Sequence, residues 1–338
     1  MTISRVFKRA GFLYLPTRNK HHVFGGKDIE IDGVYLFENI ILFCEDTISK
    51  ESSHAVKTAE NARIIENNFK DVLDWLKDLF PDKFETFSNY TMGRYQKRFL
   101  YFPGVDKDFS EERFSSLIIC RPKVLRYFDV ITTALKKSSR FEVFRFLKIS
   151  HDEVGHAEAQ GSSSNISVNI ICPEDRVGLS SGVRAVSFMM APDDLLKYGY
   201  VLRKDNWESP TSVYQRLVEP SRISSIRKYI AETKRSFLSN IIVALPEKVE
   251  FRNAKGDKVS IEDIQEYDRQ YSVDIPREFN AIRIIDGQHR VYAYHEGEDA
   301  NEQIVSELRE RLHLLVTGLV FPPQMSACLL YTSPSPRD

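Results

Sequence analysis

Apolar and polar positions along the chain follow two different periods. In residues 28–49, "DIEIDGVYLFENIILFCEDTIS", Ile29, Ile31 and Val34 give way to the apolar run Ile40 to Cys44. This predicts two strands joined by a short turn near Glu38 and Asn39. From about His54, Ile65, Phe69, Val72, Leu76 and Phe80 recur at three- and four-residue steps. That spacing predicts one long helix, ended by Pro81. "RFLYFPG" (98–104), "FSSLIICRP" (114–122) and "RFEVFRFLKI" (140–149) read as strands, with a helix over 123–136.

The small, polar stretch "GHAEAQGSSSN" (155–165) reads as a linker. Beyond it, "VRAVSFMMAPDDLLKYGYVLR" (183–203) predicts a strand and then a helix. Ser221 to Phe237 has helical spacing through Ile223, Ile226, Ile230 and Phe237. "SNIIVALP" (239–246) and "NAIRIIDG" (280–287) read as strands, and residues 252–277 as a charged, irregular insertion. "VYAYHEG" (291–297) opens a helix, and "HLLVTGLVF" (313–321) reads as a strand. Strands alternating with helices place the chain in the α/β (α+β) class. The expected organisation is a domain over 1–155, a linker over 156–180 and a second domain over 181–327.

Composition narrows the choice little. The 338 residues are 42% hydrophobic and 28% charged, with a formal net charge of −1. No global basic field announces nucleic acid, so any such contact needs a local patch. No run reaches the ~18 apolar residues of a membrane span. The start has no apolar core of a secretory signal, so a cytoplasmic location without membrane partners is expected. Cys44, Cys120, Cys172 and Cys328 form no CxxC pair and read as reduced thiols. "CLLYTSPSPRD" (328–338) reads as an in-frame sequencing-adapter translation. The second domain is then expected to be cut short near Ala327.

Chemistry concentrates in "IIDGQHRVYAYHEG" (284–297), where a strand reaches Asp-Gly and enters a helix. Backbone N–H groups at such a corner attract anions, and Gly287 lets a ligand approach closely. Arg290 can fork onto a phosphate, and His289 can donate a hydrogen bond or move a proton. Asp286 can bind a metal, orient His289 or cap the helix. An ordinary Asp-Gly turn with surface polar residues fits the same spacing.

Residues 183–321 resemble the DGQHR-domain family, which includes the DndB proteins associated with DNA phosphorothioation. The motif stands unbroken at Asp286, Gly287, Gln288, His289 and Arg290, with "YQRLVEPSRISSIRKYI" (214–230) and "FLSNIIVAL" (237–245) upstream in the family's order. More distantly, this family is similar to the ParB and sulfiredoxin superfamily, whose equivalent corner holds nucleotide phosphates. Sulfiredoxins carry a reactive cysteine where this chain has Gln288, so no thiol chemistry is expected. The resemblance implies a phosphate-binding corner at Gly287, Gln288 and Arg290, faced by Gln215, Arg216, Arg222 and Asn240. Asp286 and His289 are then the candidate catalytic groups for any hydrolysis, with a nucleoside triphosphate as ligand. For Arg216 and Arg222 the alternative is a solvated helix face, and for Asn240 a turn.

"EIDGVYLFENIILFCEDT" (30–47) poses a second question. Asp32 on one strand and Glu45 with Asp46 at the end of the next can converge, and clustered carboxylates hold Mg²⁺. This resembles the PD-(D/E)XK nuclease core, a restriction-endonuclease-like mixed sheet with helices. Asp32 and Glu45 would be its catalytic, metal-binding carboxylates. Thr47 stands where that pattern has lysine, which puts catalysis in doubt; Lys50 is the nearest substitute. "GRYQKRFLYF" (93–102) and "KKSSRFEVFRFLK" (136–148) interleave cations with aromatics, as a nucleic-acid face or a half-buried strand would. "HDEVGH" (151–156) spaces its histidines five apart, which is wrong for a zinc helix. The leading expectation is a DNA-associated protein of a DNA-modification or defence system that binds a nucleotide or nucleic-acid phosphate. A non-enzymatic DNA-binding regulator and a Mg²⁺-dependent nuclease are the alternatives. The sequence leaves open whether the chain is an enzyme.

Overall fold

The computed structural model describes residues 2–47, 52–84, 87, 90–105, 114–155, 163–170, 183–201, 218–246, 249–264, 271–276 and 278–321. The chain divides into two compact units, one of Met1–Thr133 with Phe146–Glu158, the other of Ala134–Arg145 with Ala159–Asp338. Both are built from sheets with helices, an α+β architecture.

The first unit opens with helix α1 (Thr2–Arg9) and strand β1 (Leu13–Leu15), followed by the hairpin β2 (His21–Phe24) and β3 (Lys27–Glu30). Gly25 and Gly26 turn that hairpin at φ +55° and +81°, where a side chain would be strained. β4 (Gly33–Phe37) and β5 (Ile40–Thr47) make the expected second hairpin, turned at Glu38 and Asn39. Residues 28–37 are therefore two strands rather than one. The chain bends at Asp32, β3 pairs with β2 in a separate two-stranded sheet, and β4 joins a five-stranded sheet of order β1-β4-β5-β6-β7. β6 (Gln96–Pro103) and β7 (Ile118–Ile119) run parallel to β5. A parallel neighbour needs a crossover, and α2 (Ser52–Asn67), α3 (Phe69–Leu79) and the single turn α4 (Pro81–Phe84) supply it.

The expected single helix is thus broken at Asn68, whose side-chain amide donates back to the Ile64 carbonyl at 2.8 Å. Asn68 competes with the helix for its own backbone groups. Ile41, Phe43, Ile65, Phe69, Val72, Leu76, Phe99 and Tyr101 pack into one core. Helix α5 (Pro122–Leu135) follows, and then residues 140–149, which are not a strand: α6 (Arg140–Phe146) is helical.

The second unit holds a mixed nine-stranded sheet of order β10-β15-β11-β16-β9-β8-β14-β12-β13. Its strands are β8 (Ser163–Ile170), β9 (Arg184–Met190), β10 (Gly199–Tyr200), β11 (Ile241–Ala244), β12 (Glu250–Arg252), β13 (Lys258–Val259), β14 (Tyr271–Pro276), β15 (Ile282–Asp286) and β16 (Leu314–Val320). The charged stretch 252–277 is therefore part sheet, through the end of β12, β13 and β14, with turns and a 3-10 helix at Ile261–Asp263 between them. Tyr271, Val273 and Ile275 bury alternate positions of β14 against β8. Its helices are α6, which belongs to this unit through Arg145, α7 (Pro192–Tyr198), α8 (Pro220–Thr233), α9 (Gln288–Tyr292) and α10 (Glu302–Arg311). Pro220 starts α8 in a position where its missing N–H costs nothing. Lys234 closes it in the left-handed conformation, donating its N–H to the Ile230 carbonyl at 2.8 Å. The expected linker lies mostly outside the described residues, which resume with β8 at Ser163.

Candidate functional site

Strand β15 passes into α9 at Gly287, as the Asp-Gly spacing predicts. Gly287 has φ +91°, and a Cβ there would come within 2.5 Å of Ile241 Cδ1 and 3.1 Å of Arg290 Nη2. The glycine is fixed both by backbone conformation and by the β11 side chain beneath it. The α9 helix spans five residues, and the N–H groups of Arg290 and Val291 both donate to the Gly287 carbonyl, at 2.9 and 3.1 Å.

Arg290 folds back over this turn. Nη2 donates to Asp286 Oδ2 at 3.0 Å, and Nη1 donates to the Ser239 carbonyl at 2.7 Å. The Arg290 side chain is 18% exposed and that of Asp286 66%. His289 points the other way along the motif, its Nε2 accepting the Glu219 N–H at 3.2 Å. That bond sets the proton of the neutral ring on Nδ1. Arg290 and His289 thus tie the turn to segments on either side of α8, the helix lying between Glu219 and Ser239. Gln288 is buried.

The other residues expected to face this corner divide. Arg222 lies on the exposed side of α8. Asn240 is exposed and donates to Thr317 Oγ1 of β16 at 2.8 Å, so it links two neighbouring strands. Gln215 and Arg216 lie outside the described residues, as does Lys50.

Sequence reasoning missed the polar centre behind the turn. Arg227 on α8 is 2% exposed. Its Nη1 donates to the carbonyls of Ala293 and His295 at 3.1 and 2.7 Å, Nε donates to Asp299 at 2.7 Å, and Nη2 pairs with Glu302. Arg309 of α10 adds bonds to the Tyr294 and His295 carbonyls and to Glu302, at 2.6, 3.0 and 2.9 Å. Two buried arginines therefore satisfy carbonyls that the short α9 leaves open at its end. Burial works against the charge of Glu302, but bonds from Arg309 and the Gly297 N–H outweigh it and hold its pKa below the usual value. Burial, and then the Arg227 charge, lower the His295 pKa to about 4. A buried arginine and an exposed one read alike in a helical pattern. The nearest available signal was "HEGEDANE" (295–302), which gathers four acids with no Lys or Arg among them.

In the first unit Asp32, Glu45 and Asp46 do converge. Asp32 shares hydrogen bonds with both of the others. Burial, and then the Asp32 charge, raise the Glu45 pKa to about 8, so its carboxyl is protonated at neutral pH. Arg18 bridges the cluster, with Nε donating to Asp32 Oδ1 at 3.0 Å and Nη2 to Asp46. Asp32 Oδ2 accepts the Asp46 N–H at 2.9 Å. One guanidinium, one retained proton and one amide thus satisfy the carboxyls. Arg18 thus neutralises part of the negative charge that these carboxyls gather. Among the described residues, no group of three or more His, Cys, Asp or Glu is disposed to hold a metal.

The two cation-rich stretches serve the fold where their bonds are seen. Arg98 donates to the carbonyls of Leu147 and Lys148, and Arg140 is held between the two oxygens of Glu296 at 2.9 and 2.5 Å. Cys44 and Cys120 are free and buried, their thiols pushed up by that burial. Cys172 and Cys328 lie outside the described residues. No helix among the described residues is long and apolar enough to cross a membrane.

No curated protein and no solved structure matches the chain. Residues 176–309 match the family model DndB, described as DNA-sulfur modification-associated. That span contains α8, strand β15 and the whole Asp286–Arg290 motif, within the unit that holds the mixed nine-stranded sheet. The C-terminal region of this chain therefore holds a DndB/DGQHR-like domain.

Proposed function

We propose that this protein acts in a DNA-modification or defence system and binds nucleic-acid phosphate beside the turn at Asp286 to Arg290. The observation that carries the reading is the posture of Arg290, held over Gly287 by Asp286 and Ser239. A guanidinium fixed in this way needs little reordering to receive an oxyanion. Its charge is already shared with Asp286, which suits one phosphodiester better than the several charges of a nucleoside triphosphate. Asp286 accepts from Arg290 and His289 Nε2 accepts from a backbone amide, so neither is poised as a base. Binding is therefore favoured over hydrolysis, and a regulator that uses the turn as a backbone clamp is the form the reading takes.

The test is to mix the full chain with duplex DNA and, separately, with nucleoside triphosphates and Mg²⁺. Duplex binding that weakens steeply with salt, without phosphate release, supports the clamp. Phosphate release lost in Asp286→Asn or His289→Gln would replace it with a hydrolase.

A second reading, metal-dependent DNA cleavage by the first unit, is favoured by the convergence of Asp32 and Glu45. The order of its sheet, antiparallel through β1, β4 and β5 and parallel beyond, supports a nuclease-like core. DNA cleavage lost in folded Asp32→Ala and Glu45→Ala variants would support it, and cleavage surviving both would remove it.

A further inference from the structure

Helix α8 and the loop after it form a surface that the Asp286–Arg290 turn holds in place. α8 buries Ile223, Arg227, Ile230 and Ala231 on one side. Its other side exposes Arg222, Ser224, Ser225, Lys228 and Tyr229, and the chain leaves it through exposed Lys234 and Arg235. Cations, hydroxyls and tyrosine are the side chains that contact nucleic-acid backbones. The acids exposed on the same stretch are Glu219 and Glu232, the latter 3.7 Å from Lys228. Exposed cations outnumber exposed acids here, in a chain whose net charge is −1.

Leu238 is 96% exposed, whereas Val23, the next large hydrophobic residue among the described residues, is 60% exposed. Its neighbours are all fastened. The Phe237 ring lies 5.0 Å from that of Tyr229, the Ser239 carbonyl accepts from Arg290 at 2.7 Å, and Asn240 donates to Thr317 at 2.8 Å. A leucine is thus held out in water between fixed flanks, where a partner that covered it would gain the burial of its side chain. The adjoining cations say what kind of partner that is.

We propose that α8 and this loop dock duplex DNA, with Lys234 and Arg235 on phosphates and Leu238 as an apolar wedge against a base step. Leucine wedges flanked by cations act in this way in minor grooves. At 14 residues α8 is about 21 Å long, enough to follow a backbone past several phosphates. The inference rests on the reading that the chain binds nucleic acid, and adds the surface and the contact mode.

The test is fluorescence anisotropy of a labelled 30-base-pair duplex with the full chain as wild type, Lys234→Gln/Arg235→Gln and Leu238→Ala. The double variant is expected to bind at least tenfold more weakly, with its salt slope reduced by about two. Leu238→Ala is expected to lose several-fold in affinity at an unchanged slope, and both variants to melt as the wild type does. Wild-type binding with both variants unchanged would overturn this surface and leave DNA binding at the turn standing. No wild-type binding would overturn both readings. A change of molecular mass in Leu238→Ala with duplex binding intact would assign the leucine to a second copy of the chain and overturn the proposal.

Discussion

Arg290 Nη1 donates to the carbonyl of Ser239 at 2.7 Å, joining the motif turn to a loop 51 positions earlier in the chain. The same guanidinium holds Asp286 through Nη2, so one side chain fixes two directions at once. Arg290→Ala is expected to weaken nucleic-acid binding by ~1–3 kcal/mol, the scale of a charge-assisted hydrogen bond. Arg290→Lys is expected not to restore it, because a single ammonium cannot serve both directions. Titrations of both variants against the same duplex check this, with melting temperatures as the control for folding.

Arg227 is expected to matter for stability rather than binding. Arg227→Met would leave the carbonyls of Ala293 and His295 and the carboxylate of Glu302 with a partner removed. Breaking a buried pair in this way costs about 3–5 kcal/mol. The exposed Arg222→Met is expected to change stability by less than ~0.5 kcal/mol. Chemical denaturation of the two variants separates these outcomes.

On the acid side, His295 governs a stability loss. Its pKa is about 4 when folded, against 6.5 ordinarily, so the unfolded chain binds the proton first. Its contribution is complete above pH 6.5, falls as pH drops toward 4, and amounts to on the order of 3 kcal/mol. Denaturation midpoints measured across that window should slope upward with pH, and His295→Gln should flatten the slope.

Glu45 produces the opposite slope in the first unit. Its pKa is about 8 when folded, against 4.5 ordinarily, so the folded chain keeps the proton longer. Its contribution is present below pH 4.5 and is lost as pH rises toward 8, on the order of 5 kcal/mol. Glu45→Gln keeps a neutral side chain, and is expected to be more stable than the wild type at pH 8 with little difference at pH 5.

The elements that sequence made legible are those with one possible period. β15 alternates Ile282 and Ile284 inward and meets Asp-Gly, so strand, turn and motif were all readable. Residues 140–149 obey two periods at once. Phe141, Val143 and Phe144 suit a strand or a helix, and helix α6 wins with Phe141 and Phe144 both against Phe279. The stretch 252–277 hid β14, although Tyr271, Val273 and Ile275 alternate with Ser272 and Asp274 in a strand's period, because the charged residues before it dominate the stretch. At the site, Asp286 to Arg290 were legible as a group, but their internal bonds were not. Composition cannot say that Arg290 would spend two nitrogens on Ser239 and Asp286, or that Arg18 would reach the carboxylates that the hairpin gathers. The Ser239 and Arg18 bonds depend on loops that meet only in the folded chain.

The central claim is that nucleic acid meets the chain at the Gly287 turn. Selective ¹⁵N-glycine labelling makes the Gly287 amide resonance observable in the full chain as a duplex oligonucleotide is added. The account predicts a saturable shift of that resonance, with the same apparent affinity as anisotropy and with its loss in Arg290→Ala. A Gly287 signal that stays fixed while the duplex binds, with other glycines moving, would contradict it.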